Sequence, residues 1–219
     1  MTEIKRKVIV IDDHPMMRSA LSDLIKTEGS HIFAGDASNL AQARLLIKKV
    51  APDAVILDIS MPDGNGLELV SELKSRMPKT FFLVFSMHDE TVYAARALRA
   101  GASGYIMKTE PIETILDGLN KVMQGEIFVK NDLKNDILLS LLDSGDTNRS
   151  PDKKLTNREL EVFRAMGHGQ TTRAIAEQFH ISMKTVQAYR ERIKGRLGIG
   201  NSTELMQRAV QWVQENEKV

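Results

Sequence analysis

The sequence predicts a doubly wound α/β domain on a five-stranded parallel sheet, followed by an all-α domain of four helices. Three observations carry this reading. The run Ala54-Val-Ile-Leu-Asp58 is apolar, ends in one carboxylate and leads into the turn cluster Pro62, Asp63, Gly64, Asn65, Gly66, which is the pattern of a fully buried strand. Four more short apolar runs alternate with helix-period segments over residues 1–125, and such alternation implies parallel strands covered on both faces. Beyond residue 151 the apolar residues keep helical spacing, and two short helices are joined by a three-residue turn.

The first strand spans 7–11 and ends in Asp12-Asp13. Pro15 sits early in a helix, where proline is tolerated, and Met17, Leu21, Leu24 and Ile25 recur at helical spacing until Gly29. Residues 31–34 read as the second strand. Leu40, Ala43, Leu46 and Ile47 mark a helix closed before Pro52. The Asp58 strand is third, followed by a helix carrying Leu67, Val70 and Leu73. Residues 81–85 form a fourth strand ending in Ser86, and 91–99 a helix stopped by Gly101. Residues 103–107 form a fifth strand ending in Lys108, and Pro111 opens a helix to Met123. Crossovers of this kind are right-handed, so all the strand carboxyl ends share one edge. Residues 126–150 read as a linker: a helix over 132–142 with Leu133, Ile137, Leu138, Leu141 and Leu142 on one face, then a polar, turn-rich tether over 144–152.

Composition narrows the class. Of 219 residues, 42% are hydrophobic and 27% charged, as in ordinary globular proteins. The absence of cysteine excludes disulfides and thiolate metal sites and fits a reducing cytosol. No apolar run approaches the roughly 20 residues of a membrane span, and the N-terminus leads into a strand instead of a signal peptide. A cytoplasmic location without membrane partners is therefore expected. The basic excess lies in residues 155–219, where Lys184, Arg190, Arg192, Lys194 and Arg196 crowd one helical stretch. A basic face is often only a solvated surface, and it is also what nucleic-acid binding requires.

The polar strand ends carry the chemistry. Asp12, Asp13, Asp58, Ser86 and Lys108 place three carboxylates, a hydroxyl and an ammonium at one sheet edge, where open α/β sheets bind ligands. Clustered carboxylates repel one another, and a hard cation such as Mg²⁺ relieves that repulsion while admitting phosphate oxygens. The backbone carbonyl of Ser60 is a further expected metal ligand. Asp58 can then act as nucleophile toward a phosphoryl group, with Lys108 and Ser86 supplying positive charge and a donor. A flavin site would need a hydroxyl-rich loop where Asp12-Asp13 stand. A phosphohydrolase would need an acid two residues past the nucleophile, where Ser60 stands. His14 and His88 read as surface residues flanking the site.

Asp12-Asp13, Asp58 with Met61-Pro62-Asp63-Gly64, Ser86 and Lys108 resemble the flavodoxin-like receiver domain of bacterial two-component response regulators over about residues 5–125. The resemblance implies a sensor histidine kinase as phosphoryl donor, Asp58 as phosphoacceptor and a regulator, not an enzyme. It also implies a switch in which Ser86 turns toward the phosphate and Tyr105 packs into the space left. Many receivers carry proline directly after the lysine, whereas Lys108 is followed by Thr109-Glu110-Pro111.

In the second domain Thr156 and Glu159 form a capping box for a helix ending near Met166. Thr171 or Thr172 caps a second helix, over 173–179. Ser182 caps a third, over 183–197, and a fourth opens at Asn201-Ser202. Leu155-Thr156-x-Arg158-Glu159-x-Glu161-Val162, Ile175-Ala176, Ile181-Ser182 and Lys184-Thr185-Val186 resemble LuxR-type helix-turn-helix domains, and both halves together resemble the NarL/FixJ subgroup. That resemblance places Gln187, Ala188 and Glu191 toward bases of double-stranded DNA. Lys184, Thr185, Tyr189, Arg190 and Lys194 are then read as phosphate contacts. It also implies a homodimer on phosphorylation or on DNA. Leu205, Ala209 and Trp212 are either core or part of the dimer seam. The rival readings are a helical bundle that binds protein, and DNA binding independent of phosphate.

Overall fold

The computed structural model describes residues 5–135, 137 and 151–216. The chain divides into two compact units, Met1–Leu141 and Leu142–Val219. The first comprises β1 (Arg6–Ile11), α1 (Pro15–Glu28), β2 (His31–Ala37), α2 (Leu40–Val50), β3 (Ala54–Leu57), a small hairpin of β4 (Ser60–Met61) and β5 (Gly64–Asn65), and α3 (Gly66–Lys74). It continues with β6 (Phe81–Ser86), α4 (Glu90–Ala100), β7 (Gly104–Met107) and α5 (Thr114–Met123).

Five strands form one parallel sheet in the order β2-β1-β3-β6-β7. The winding changes direction between β1 and β3, which leaves a crevice beyond their carboxyl ends. On one face Val8, Val10, Ile56, Leu83, Phe85 and Ile106 meet Leu21 and Ile25 of α1 and Ile115, Leu119 and Val122 of α5. The alternate residues Ile9, Ile11, Val55 and Leu57 are equally buried, as a sheet covered on both faces requires.

Three boundaries differ from the sequence reading. β2 continues through Ala37 because Gly35, at φ 136°, opens a register shift opposite Val8 and Ile9. The glycine that reads as a strand end is a bulge that prolongs the strand. α5 starts at Thr114; the residues from Pro111 form tight turns, with Thr114 N–H donating to Pro111 O at 3.0 Å and Ile115 N–H to Ile112 O at 3.1 Å. Residues 126–129 are not linker. Phe128 bridges Gly104 in parallel, Tyr105 N–H donates to Phe128 O at 2.8 Å and Phe128 N–H to Ser103 O at 3.0 Å. Asn131–Leu133 make a 3₁₀ turn and Ile137 is buried; the rest of the expected linker helix, 138–142, and the tether over 144–150 lie outside the described residues.

The second unit holds α6 (Pro151–Lys154), α7 (Asn157–Gly167), α8 (Thr172–Gln178), α9 (Met183–Leu197) and α10 (Ser202–Asn216). α6 is a one-turn helix where the tether was expected to end. The capping box is present, with Thr156 Oγ1 accepting from Glu159 N–H and Glu159 Oε2 accepting from Thr156 N–H. Thr171 caps α8 and Ser182 caps α9. Between them His180 takes a left-handed φ of 52°, and Ile181 N–H donates to Ala176 O at 2.9 Å to close the turn. Leu160, Phe163, Val186, Ile193, Leu205, Ala209 and Trp212 form the buried centre.

Candidate functional site

The backbone ladder aligns the strand ends. Ile11 pairs with Leu57, and Asp58 N–H continues the ladder to Ile11 O at 2.9 Å, so Asp12 and Asp58 stand side by side. Ser86 pairs with Met107, and Lys108 N–H reaches Ser86 O at 2.8 Å. A Cβ at Gly66 would overlap the Asp58 carbonyl oxygen, so glycine there lets the following turn close against the carboxylate residue. Asp63 does more than turn the chain: its two oxygens accept from Leu40 N–H at 2.8 Å and Ala41 N–H at 2.9 Å, capping α2.

The expected side chains converge. Asp58 Oδ1 accepts from Ser86 Oγ at 2.7 Å and from Ile59 N–H at 2.6 Å. Lys108 Nζ lies 2.6 Å from Asp58 Oδ2 and 2.6 Å from Asp12 Oδ2. Burial opposes the Lys108 ammonium, but Asp58 and Asp12 overcome it and hold its pKa above the ordinary lysine value. Asp12, Asp13, His14 and Asp58 bring ligand atoms within 4.8 Å of one another. This oxygen-rich set fits a hard divalent cation.

Of the two histidines expected as flanking surface residues, His14 is one and His88 is not. His14 is exposed yet joins the cluster, with Nδ1 3.1 Å from Asp12 Oδ1 and 2.7 Å from Asp13 Oδ1. His88 is buried: its ring stacks on Tyr93 with centroids 4.4 Å apart, and Nε2 lies 2.8 Å from Ser60 Oγ. The His88 carbonyl also accepts from Tyr105 Oη at 2.7 Å. Burial pushes the Tyr105 phenol well above its ordinary pKa, with Tyr93 and Asp58 adding to the effect. The Ser86–His88 loop thus joins the carboxylate to Tyr105. A lone histidine in a loop gives no sequence signal of this; the stacking partner lies on the next helix.

In the second unit α9 buries Val186 and Ile193, leaves Lys184, Gln187 and Glu191 exposed, and half-buries Leu197. Gln187 Nε2 donates to Glu191 Oε1 at 3.2 Å, and Lys194 Nζ lies 2.8 Å from Glu191 Oε2. Thr185, Ala188, Tyr189 and Arg190 are half-buried. Arg190 Nη1 donates to Thr172 Oγ1 at 3.2 Å, docking α9 on α8. Of the two readings of Leu205, Ala209 and Trp212, their burial fits the core: all three are buried, and Trp212 meets Phe163 edge-on at 6.1 Å. They offer no free apolar surface to a second copy.

A doubly wound domain with an acid–hydroxyl–lysine site, joined to a helix-turn-helix unit, defines a signal-receiving regulator. Residues 8–120 match the response regulator receiver domain, and residues 153–209 match the bacterial regulatory proteins of the luxR family. The oxygen regulatory protein NreC of Staphylococcus aureus (strain JH9) is 30% identical over 209 residues, covering 93% of this chain and 96% of that protein. Among solved structures, RcsB from Salmonella enterica serovar Typhimurium bound to promoter rprA superposes with a TM-score of 0.60 at 21% identity, covering 94% of this chain and 98% of that one. A two-component response regulator of the LuxR family from Aurantimonas sp. SI85-9A1 gives 0.57 at 24% identity, covering 64% of this chain and 99% of that one. Both share the fold. The chain belongs to the two-component response regulators that join a receiver to a LuxR-type helix-turn-helix domain, the NarL/FixJ subgroup.

Proposed function

We propose that Asp58 accepts a phosphoryl group from the phosphohistidine of a sensor histidine kinase, and that the phosphorylated chain binds double-stranded DNA through α9 to regulate transcription in the cytoplasm. The observation that carries this reading is the Asp58 carboxylate held between Ser86 Oγ at 2.7 Å and Lys108 Nζ at 2.6 Å. One Asp58 oxygen attacks phosphorus, the P–N bond to the donor histidine breaks, and the imidazole leaves with the electron pair. Lys108 and the Ser86 hydroxyl donate to the phosphoryl oxygens as they carry charge. Asp12, Asp13, Asp58 and the Ser60 backbone carbonyl would hold Mg²⁺, which when bound screens the carboxylates from the incoming anion.

Ser86 then turns from Asp58 to the phosphate, and Tyr105, tied to the same loop through His88 O, repacks. On α9, Gln187, Ala188 and Glu191 meet base edges, with Lys184, Thr185, Tyr189, Arg190 and Lys194 on phosphates. Two copies occupy half-sites about one helical turn apart, through a seam that excludes Leu205, Ala209 and Trp212. In a labelling test, a radioactive small-molecule phosphodonor labels the wild-type chain with Mg²⁺ or Mn²⁺ and not after chelation. Asp13→Ala and Asp58→Asn both abolish the label. An undiminished, acid-stable label on Asp58→Asn places the chemistry elsewhere.

A further inference from the structure

We infer that Arg196 is a positioning residue that sets the orientation of α9 for base readout, and that it makes no phosphate contact. The inference rests on the reading of α9 as the DNA-facing helix. In sequence Arg196 belongs to the same basic crowd as Lys184, Arg190, Arg192 and Lys194. In the structure the Arg196 side chain stays about half exposed, at 49%, but its guanidinium is engaged by protein acceptors. Arg196 Nε lies 3.0 Å from Glu159 Oε2, and Nη1 donates to the Lys154 carbonyl at 3.3 Å. The Glu159 side chain is only 3% exposed, and the same Oε2 accepts from Thr156 N–H at 2.9 Å to complete the capping box. A single buried carboxylate oxygen therefore fastens the start of α7 to the end of α9, and the same guanidinium fastens the end of α6.

The contacts elsewhere on α9 explain why this tie matters. Val186 and Ile193 hold the helix to the core by apolar burial, which is non-directional and tolerates small rotations. Directional ties come from Arg190 to Thr172 near the middle of the helix and from Arg196 at its end. The planar guanidinium fork fixes direction in a way a lysine ammonium does not. Two such ties along one helix determine its tilt and rotation, and a recognition constellation must be held to about 0.5 Å. Arg196 and Glu159 also cancel in charge, so the pair releases no counterion on DNA.

The test uses the full chain treated with a phosphodonor, and a duplex that the wild-type chain enriches from random DNA. Affinity for that duplex and for a random one is measured over a series of salt concentrations. Arg196→Ala is expected to lose about tenfold on the enriched duplex, a loss of the size that disturbed base contacts give. Its affinity for random DNA falls much less, and its salt slope stays at the wild-type value. Glu159→Gln keeps an acceptor for the cap, so it guards against a simple folding failure of Arg196→Ala. It removes a negative charge, which on electrostatics alone would tighten binding, yet it is expected to weaken the enriched duplex selectively. Equal losses of Arg196→Ala on both duplexes, with the slope shrinking by about 1 unit, would make Arg196 a phosphate contact and overturn the inference. Tighter binding by Glu159→Gln overturns it too. A wild-type chain that enriches no duplex overturns the DNA reading itself, and the inference with it.

Discussion

The carboxylate edge of the sheet and the exposed face of α9 are organised in opposite ways. At the sheet edge Asp12, Asp58 and Ser86 are buried and bonded to one another or to Lys108 before any ligand arrives. On α9 Lys184, Gln187 and Glu191 are exposed, and among the described residues Gln187, Glu191 and Lys194 are linked along their own helix. The difference follows from backbone geometry. Parallel strands in fixed register must deliver their ends to one line, so a reactive constellation is set by main-chain hydrogen bonds. A helix surface has no partner until the groove of a duplex supplies one, so its side chains satisfy each other at i+3 and i+4 spacing.

The sharpest way to break this comparison is to damage one half and watch the other. Trp212→Ala removes a buried indole packed on Phe163 and is expected to destabilise the second unit by about 3–5 kcal/mol. Calorimetry should show one transition lowered, while phosphodonor labelling of Asp58 continues at the wild-type rate. Slower labelling would mean that the fold of the second unit bears on the chemistry of the first. A smaller effect sharpens the division of labour on α9. Gln187→Ala should lose roughly 1–3 kcal/mol on the enriched duplex and little on random DNA. The smallest effect belongs to Lys184, exposed at the start of the helix. Lys184→Ala should weaken both duplexes alike and reduce the salt slope by about 0.9.

Most of the carboxylate site is legible in the sequence because each of its members ends a strand, and strand ends in a parallel sheet have little freedom about where to go. Asp58, Asp12, Ser86 and Lys108 meet for that reason. What escapes is structure without a period. Gly35 prolongs β2 through a bulge, and residues 126–129 pair with the sheet edge without any alternating pattern. The burial of His88 depends on Tyr93 and Ser60, which are distant in pattern if not in space. Helical periodicity identifies Leu205, Ala209 and Trp212 as one apolar stripe, but it cannot distinguish a stripe buried on α7 from one awaiting a second copy. Arg196 is the same kind of case: its charge is visible in the sequence, and its direction is not.

One titration decides whether phosphorylation of Asp58 governs the DNA affinity of α9. The intact chain is titrated against its enriched duplex with and without a phosphodonor and Mg²⁺, beside Asp58→Asn under the same conditions. Phosphodonor treatment is expected to tighten binding by the wild-type chain about tenfold or more, equivalent to roughly 1.4 kcal/mol, and to leave Asp58→Asn unchanged. Equal affinity of the wild-type chain in both conditions, at full labelling of Asp58, would contradict the account.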